Sequence, residues 1–168
     1  VYGQITFSDK ALTAGVGSDS YDSSSRHGLG VVWIDYDNDG FPDIFASNGS
    51  GLSAHLYHNE GNGTFTDADA LLPAIAAGEM TSAMFADYDN DGDLDLFVTN
   101  FSDDVNTLYQ NRGDGSFVDA TNEAFLGDEA RPYLGWSTAF FDADNDGWLA
   151  LFGANGRPYP HPETPPPG

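Results

Sequence analysis

The chain has 168 residues, with 27 Asp+Glu against 5 Lys+Arg, a formal charge of -22 and no cysteine. So acidic a surface repels nucleic acid and anionic lipid, and no basic patch offers either partner a foothold. Disulfides and thiolate metal sites are excluded, and no apolar run approaches the ~20 residues that cross a bilayer, so no membrane insertion is expected. Hydrophobic residues at 40% nonetheless supply a core, which argues against disorder. The chain begins at Val1, so the expectation is a processed product or a stretch of something longer.

Residues 1–9 (VYGQITFSD) alternate and read as a strand, and residues 10–26, rich in Gly, Ser, Asp and Thr, read as a long surface loop. Residues 27–34 turn apolar and lead into Asp35-Tyr36-Asp37-Asn38-Asp39-Gly40-Phe41-Pro42-Asp43, and residues 44–48 leave that loop as a second strand. Residues 56–59 and 64–67 form a third and a fourth, joined at the Glu60-Gly61-Asn62-Gly63 turn.

A second unit follows the same plan, with strands at 84–86, 96–100, 108–111 and 116–119 and an acidic loop at 87–95. Asp35 to Asp87 is 52 positions and so is Leu56 to Leu108, which means that the whole unit repeats and not the loop alone. A third unit has strands at 138–141 and 151–155 around a loop that begins at Asp142, 55 positions after Asp87. The connections at 68–79 and 120–131 hold a helical turn or an irregular path. Residues 156–168 carry six prolines, which forbid a central strand and favour extended polyproline II.

Four short strands per ~50 residues mark a β-propeller blade. The expected fold is all-β, with propeller-type four-stranded antiparallel blades in about three repeats, incomplete as a single-chain propeller. The expected organisation is a repeat domain over residues 1–155 (units about 1–67, 68–119 and 120–155) and a Pro-rich tail over 156–168.

Of the 27 acids, 12 lie in the three loops. Four carboxylates within nine residues repel one another unless a cation sits among them. Aspartates at loop positions one, three, five and nine, with Gly at six for the tight curl, describe a cage for a hard cation. Calcium accepts 6–8 oxygens in irregular geometry and fits better than magnesium. The expected ligands are Asp35, Asp37, Asp39 and Asp43 in loop one, Asp87, Asp89, Asp91, Asp93 and Asp95 in loop two, and Asp142, Asp144 and Asp146 in loop three. The backbone carbonyls of Phe41, Asp93 and Trp148 at position seven are expected to join them. Position twelve is Ala46, Val98 and Gly153, so the loops are not EF-hands. In loop three Ala150 replaces the position-nine Asp, so two strong sites and a weaker third are expected.

The pattern D-x-D-x-D-G-x-x-D-[IL] after an apolar strand, followed by L-Y-x-N-x-G-x-G-x-F-x-D, resembles the FG-GAP/VCBS repeat over most of residues 29–155. The resemblance implies integrin α-subunit-like blades, with calcium loops joining the first and second strands. It also implies an extracellular or cell-surface place and service in adhesion, carbohydrate binding or scaffolding of enzymes. The departure is in number, because such propellers usually have six to eight blades.

The strands expected here total 11, too few for three full blades. Residues 1–9 resemble the outer hairpin of a blade and would complete the third unit, either within the chain or in a neighbouring copy. Copies of the same chain, joined head to tail as a ring or filament, are therefore the expected partner, with glycans and cell-surface or matrix proteins as alternatives. The functional expectation is a calcium-stabilised, non-enzymatic extracellular structural or adhesion module; the alternatives are a lectin-like sugar binder and a scaffold fragment of a larger secreted enzyme.

Asn48, Asn62 and Asn100 stand in Asn-x-Ser/Thr patterns and are candidates for glycosylation, Asn62 being the poorest because it sits in a tight turn. Thr164, between prolines, is a further candidate. His27, His55, His58 and His161 show no metal-ligand spacing with a nearby acid and read as structural. Trp33 reads as core, whereas Trp148 reads as exposed and suited to sugar stacking.

Overall fold

A computed structural model describes residues 8–16, 30–48, 53–72, 80–100, 105–126 and 134–156. The first unit is an antiparallel sheet in sequence order, β1 (Val31–Ile34), β2 (Asp43–Ala46), β3 (His55–Asn59) and β4 (Phe65–Asp67). The second repeats it with β5 (Met80–Ala86), β6 (Asp95–Asn100), β7 (Thr107–Asn111) and β8 (Phe117–Asp119). The third holds only β9 (Leu134–Phe141) paired with β10 (Ala150–Gly156) among the described residues. These are the expected propeller-like blades, two of four strands and one of two, with no closed barrel. The N-terminal strand expected within residues 1–9 falls largely outside the described residues, as does the Pro-rich tail. Within the expected surface loop the chain instead makes one short helix, α1 (Ala11–Ala14), which ends at Gly15 with φ 85°.

The two complete blades share one register. Phe45 faces Leu56 as Phe97 faces Leu108, and Ile44 faces Tyr57 as Leu96 faces Tyr109. After the outer strand the chain folds back identically in both: Ala68 N–H donates to the Leu56 carbonyl at 2.8 Å, and Ala120 N–H to that of Leu108 at 2.9 Å.

Alternation along the strands gives the second blade two apolar faces. One face, with Phe85, Leu96, Tyr109 and Phe117, packs against Ile34, Phe45 and Leu56 of the first blade. The other, with Phe97 and Leu108, packs against Phe140 and Leu151 of the third unit. This two-sided burial explains why Leu96, Phe97 and Val98 stand as consecutive apolar residues in β6, all six of whose residues are buried. Each fully buried Leu or Phe contributes roughly 1.5–3 kcal/mol. An aromatic pair bridges each blade junction. Phe45 meets Phe85 edge-on at 5.7 Å, and Phe97 meets Phe140 edge-on at 6.2 Å.

Trp33 departs from expectation: it is 63% exposed rather than core. It stands two residues before its acidic loop, as Phe85 stands before the second. The sheet face that it shares with Val31 meets no other described blade. Gly135 shows how closely β9 approaches the second blade, since a Cβ there would lie 2.7 Å from Thr99 Cβ.

Candidate metal centre

The three acidic loops share one backbone frame. Asp35 accepts the N–H groups of Asp39 and Gly40, both at 3.0 Å. Asp87 does the same for Asp91 (3.0 Å) and Gly92 (3.1 Å), and Asp142 for Asp146 (3.1 Å) and Gly147 (2.9 Å). The curl requires positive φ twice, at Asn38, Asn90 and Asn145 (58°, 60° and 62°) and at Gly40, Gly92 and Gly147 (89°, 96° and 90°). Asn tolerates the left-handed region better than other side chains, and Gly enters it freely, so the Asn-Asp-Gly core of each loop is a conformational requirement.

This frame turns carboxylates toward one another. One oxygen each from Asp35, Asp37 and Asp39 lie within 4.8 Å of one another, as do oxygens of Asp87, Asp89 and Asp95, and of Asp142, Asp144 and Asp146. Asp91 and Asp93 are not drawn into the second group. Asp91 Oδ1 accepts the Asp93 N–H at 2.9 Å, and Asp93 Oδ1 receives the Asn38 amide at 3.0 Å from the neighbouring loop. At position seven the Phe41 and Trp148 N–H groups likewise turn onto Asp39 and Asp146, each at 2.8 Å.

The position-nine aspartates are fully buried struts as well as candidate ligands. Asp43 accepts the Tyr36 N–H at 3.2 Å and the Asn59 N–H at 2.7 Å; Asp95 accepts those of Tyr88 at 3.0 Å and Asn111 at 2.8 Å. Each carboxylate therefore ties the start of its loop to the end of the third strand. Burial pushes Asp95 up to about 7, against the lowering pull of those two N–H groups, and raises Asp43 in the same direction. Burial first, then Asp37, Asp43 and Asp39, push the Tyr36 phenol up to about 12. In loop three Asp142 lies below the usual carboxylate range, chiefly through the Gly147 N–H, and the strut is missing because Ala150 takes its place.

The residues fit a divalent cation. Asp89 Oδ2 accepts the Gln110 amide at 2.6 Å, while its Oδ1 is buried without a hydrogen-bond partner. A buried, unpaired carboxylate oxygen beside Asp87 and Asp95 is left where a cation would satisfy it.

His58, read from sequence as structural, lies against the acids of loop one. Its Nδ1 lies 3.2 Å from Asp37 and 3.4 Å from Asp43, outside hydrogen-bond alignment with either, and Asp37, Asp43 and His58 form a fourth candidate group. The misread arose because His58 is on β3, and only sheet pairing brings it beside the loop. His55 has a different role, with Nδ1 2.8 Å from Asp69 Oδ2. His27 and His161 lie outside the described residues.

The loops also touch one another. Asn38 Nδ2 donates to the Gly92 carbonyl at 3.3 Å, and Asn90 Nδ2 donates to the Gly147 carbonyl at 3.1 Å. Asn at loop position four thus serves its own curl and the next blade. Asn90→Ala is expected to cost about 1–2 kcal/mol, from left-handed strain plus one lost hydrogen bond, read by urea denaturation.

Among the glycosylation candidates, Asn48 and Asn100 are buried, and Asn100 Nδ2 donates to the Val105 carbonyl at 2.6 Å. Asn62 is exposed, with its Oδ1 accepting the Thr64 N–H at 2.9 Å. Asn62 is thus the most open of the three, while it sits in the tight turn expected of it between Gly61 and Gly63; Thr164 lies outside the described residues. Trp148 is exposed as expected, and so is Trp136.

Antiparallel units, each with an Asp-rich loop between its first and second strands, define an acidic-loop type of repeat architecture. The chain belongs to the FG-GAP-like repeat family, whose pattern matches residues 35–98 and again 87–152. It is similar to Cartilage acidic protein 1 of Mus musculus, at 29% identity over 168 residues covering 95% of this chain and 25% of the relative. It is similar to the Homo sapiens protein of that name at 29% identity, covering 95% of this chain and 24% of the relative. The Xenopus tropicalis protein is 27% identical, with 95% and 25% covered. The chain thus spans about a quarter of the length of these relatives.

Proposed function

We propose that this chain is a calcium-stabilised, extracellular structural module of the adhesion type, in which bound calcium fastens each blade's first two strands. The observation that carries the calcium reading is the second loop. There a buried Asp95 is pushed toward neutrality by its surroundings, and Asp89 keeps a buried oxygen without a partner. Both are satisfied at once by a divalent cation. Calcium suits the loop better than magnesium, because the carboxylates converge from an irregular curl rather than an octahedron. An extracellular place agrees with relatives named for cartilage.

Isothermal titration tests the reading. Calcium should fill two sites tightly, at loops one and two, and a third at least tenfold more weakly, with magnesium weaker at all of them. Ala150→Asp should bring the third site toward the affinity of the others. Three equal sites, or no heat of binding at all, would contradict the assignment.

A further inference from the structure

Loops one and two share their aspartates at positions one, three, five and nine, but the third strand lays a different side chain against each. In the second blade it is Gln110, whose amide donates to Asp89 Oδ2 at 2.6 Å. In the first blade the residue 52 positions earlier is His58. Its Nδ1 lies 3.2 Å from Asp37 Oδ2 and 3.4 Å from Asp43 Oδ1, and is shut off from solvent with no hydrogen-bond partner. The position-nine aspartates follow this difference. Asp95 converges with Asp87 and Asp89, whereas Asp43 converges with Asp37 and His58 and is not drawn into the group of Asp35, Asp37 and Asp39.

We infer that loop one holds a mixed nitrogen–oxygen site for a divalent transition ion of the zinc class, with His58 Nδ1, Asp37 Oδ2 and Asp43 Oδ1 as its ligands. This preference rests on loop one being a cation site at all, as proposed above. Calcium takes oxygen ligands, so an imidazole nitrogen among the carboxylates adds nothing to its binding. Zinc takes imidazole nitrogen and carboxylate oxygen together at about 2.0–2.2 Å, which sets tetrahedral neighbours about 3.3–3.5 Å apart. The two nitrogen-to-oxygen separations, 3.2 Å and 3.4 Å, are of that size. Neither oxygen is aligned to receive an Nδ1 proton, whereas an ion among the three atoms uses the lone pair of the nitrogen. Asp43 Oδ1 already accepts the Asn59 N–H at 2.7 Å, and a carboxylate oxygen keeps a second lone pair for an ion. On the far side of the ring, Nε2 faces Asp39 Oδ2 at 3.9 Å, and a carboxylate behind the ring is a common setting for a metal-bound imidazole. Gln110 presents an amide N–H at the matching place, a donor that cannot ligate an ion, so loop two stays with calcium.

Zinc titrated by calorimetry into the 168-residue chain, in excess calcium, tests the site. His58→Gln is the variant, because Gln is what the second blade carries there, and unchanged circular dichroism checks the fold. The unmodified chain should take up one zinc ion. His58→Gln should weaken that binding at least tenfold, while calcium binding titrated without zinc changes less than twofold. Gln110→His, the reciprocal change, should add a second zinc ion beside Asp89 and Asp95. No zinc uptake in calcium, zinc binding that His58→Gln leaves intact, or a Gln110→His chain that gains none would overturn the inference. Equal loss of zinc and calcium in His58→Gln would overturn it too, leaving His58 a prop for Asp37 as Gln110 is for Asp89. The calcium reading fails separately: zinc bound through His58 in a chain that gives no heat with calcium keeps this site and removes that assignment.

Discussion

Asp95→Ala is expected to lower the melting temperature of the calcium-loaded chain by about 10–15 °C, the largest shift of any single loop substitution. The side chain is fully buried, and it alone satisfies the Tyr88 and Asn111 N–H groups through its two oxygens. Alanine leaves both donors without a partner in the interior, at roughly 1–3 kcal/mol each, and removes a cation ligand besides. A total of about 3–5 kcal/mol corresponds to that shift at ~2–4 °C per kcal/mol for a chain of this size. Part of the loss is recovered because the desolvation that pushes Asp95 up to about 7 also disappears. The variant should therefore cost less in chelator than in calcium. Asp144→Ala, in the exposed loop that lacks a strut, is the control and should move melting by no more than a few degrees. Equal shifts for Asp95→Ala and Asp144→Ala, followed by calorimetry, would refute the strut.

Chelation is expected to lower melting at pH 7.5 by about 10–20 °C, and the effect should shrink as the pH falls. Two sites saturated at a hundredfold excess over their dissociation constants contribute about 2.7 kcal/mol each. The proton stabilises the ion-free fold and weakens the calcium contribution. In the ion-free chain the folded Asp95 titrates at about 7, above the ordinary value of 3.8 that it regains on unfolding. Its folded state binds the proton more tightly, so its contribution is fully present below the unfolded value and is lost as the pH rises through 7. Asp43 is raised in the same direction and adds to the trend. With calcium bound, the proton competes with the ion, and the extra stability that calcium gives at pH 8 is lost as the pH drops below about 7. Melting curves in chelator and in calcium should therefore converge toward pH 5 and diverge toward pH 8. Parallel curves would show that neither buried carboxylate belongs to a cation site.

The loops and the strands around them were legible because they are local. Alternating aspartates, a glycine at position six and an apolar run on either side can be read within a dozen residues, and the 52-position spacing fixed the unit. What escaped was carried by contacts between units. Asn38 and Asn90 are ordinary turn residues in sequence, and their reach to Gly92 and Gly147 spans 54 and 57 positions. His58 joins Asp37 and Asp43 only once β3 has paired with β2. Trp33 was misplaced because a tryptophan before an apolar Ile reads as interior. Its burial depends on a blade beyond its own sheet, which no local pattern reports. Asn48 and Asn100 were judged by motif alone, whereas accessibility is a property of the folded surface.

The two-sided packing of β6 sets the order in which the chain comes apart. In a linear stack each blade is held by its neighbours, so end blades open first and the middle gives way last. The six residues of β6 face a core on both sides, while β1 and β10 keep one side uncovered. Backbone amides of residues 95–100 will exchange with solvent deuterium more slowly than those of any other strand. Opening will begin with fraying at β1 and β10, which makes the second acidic loop the last of the three to open.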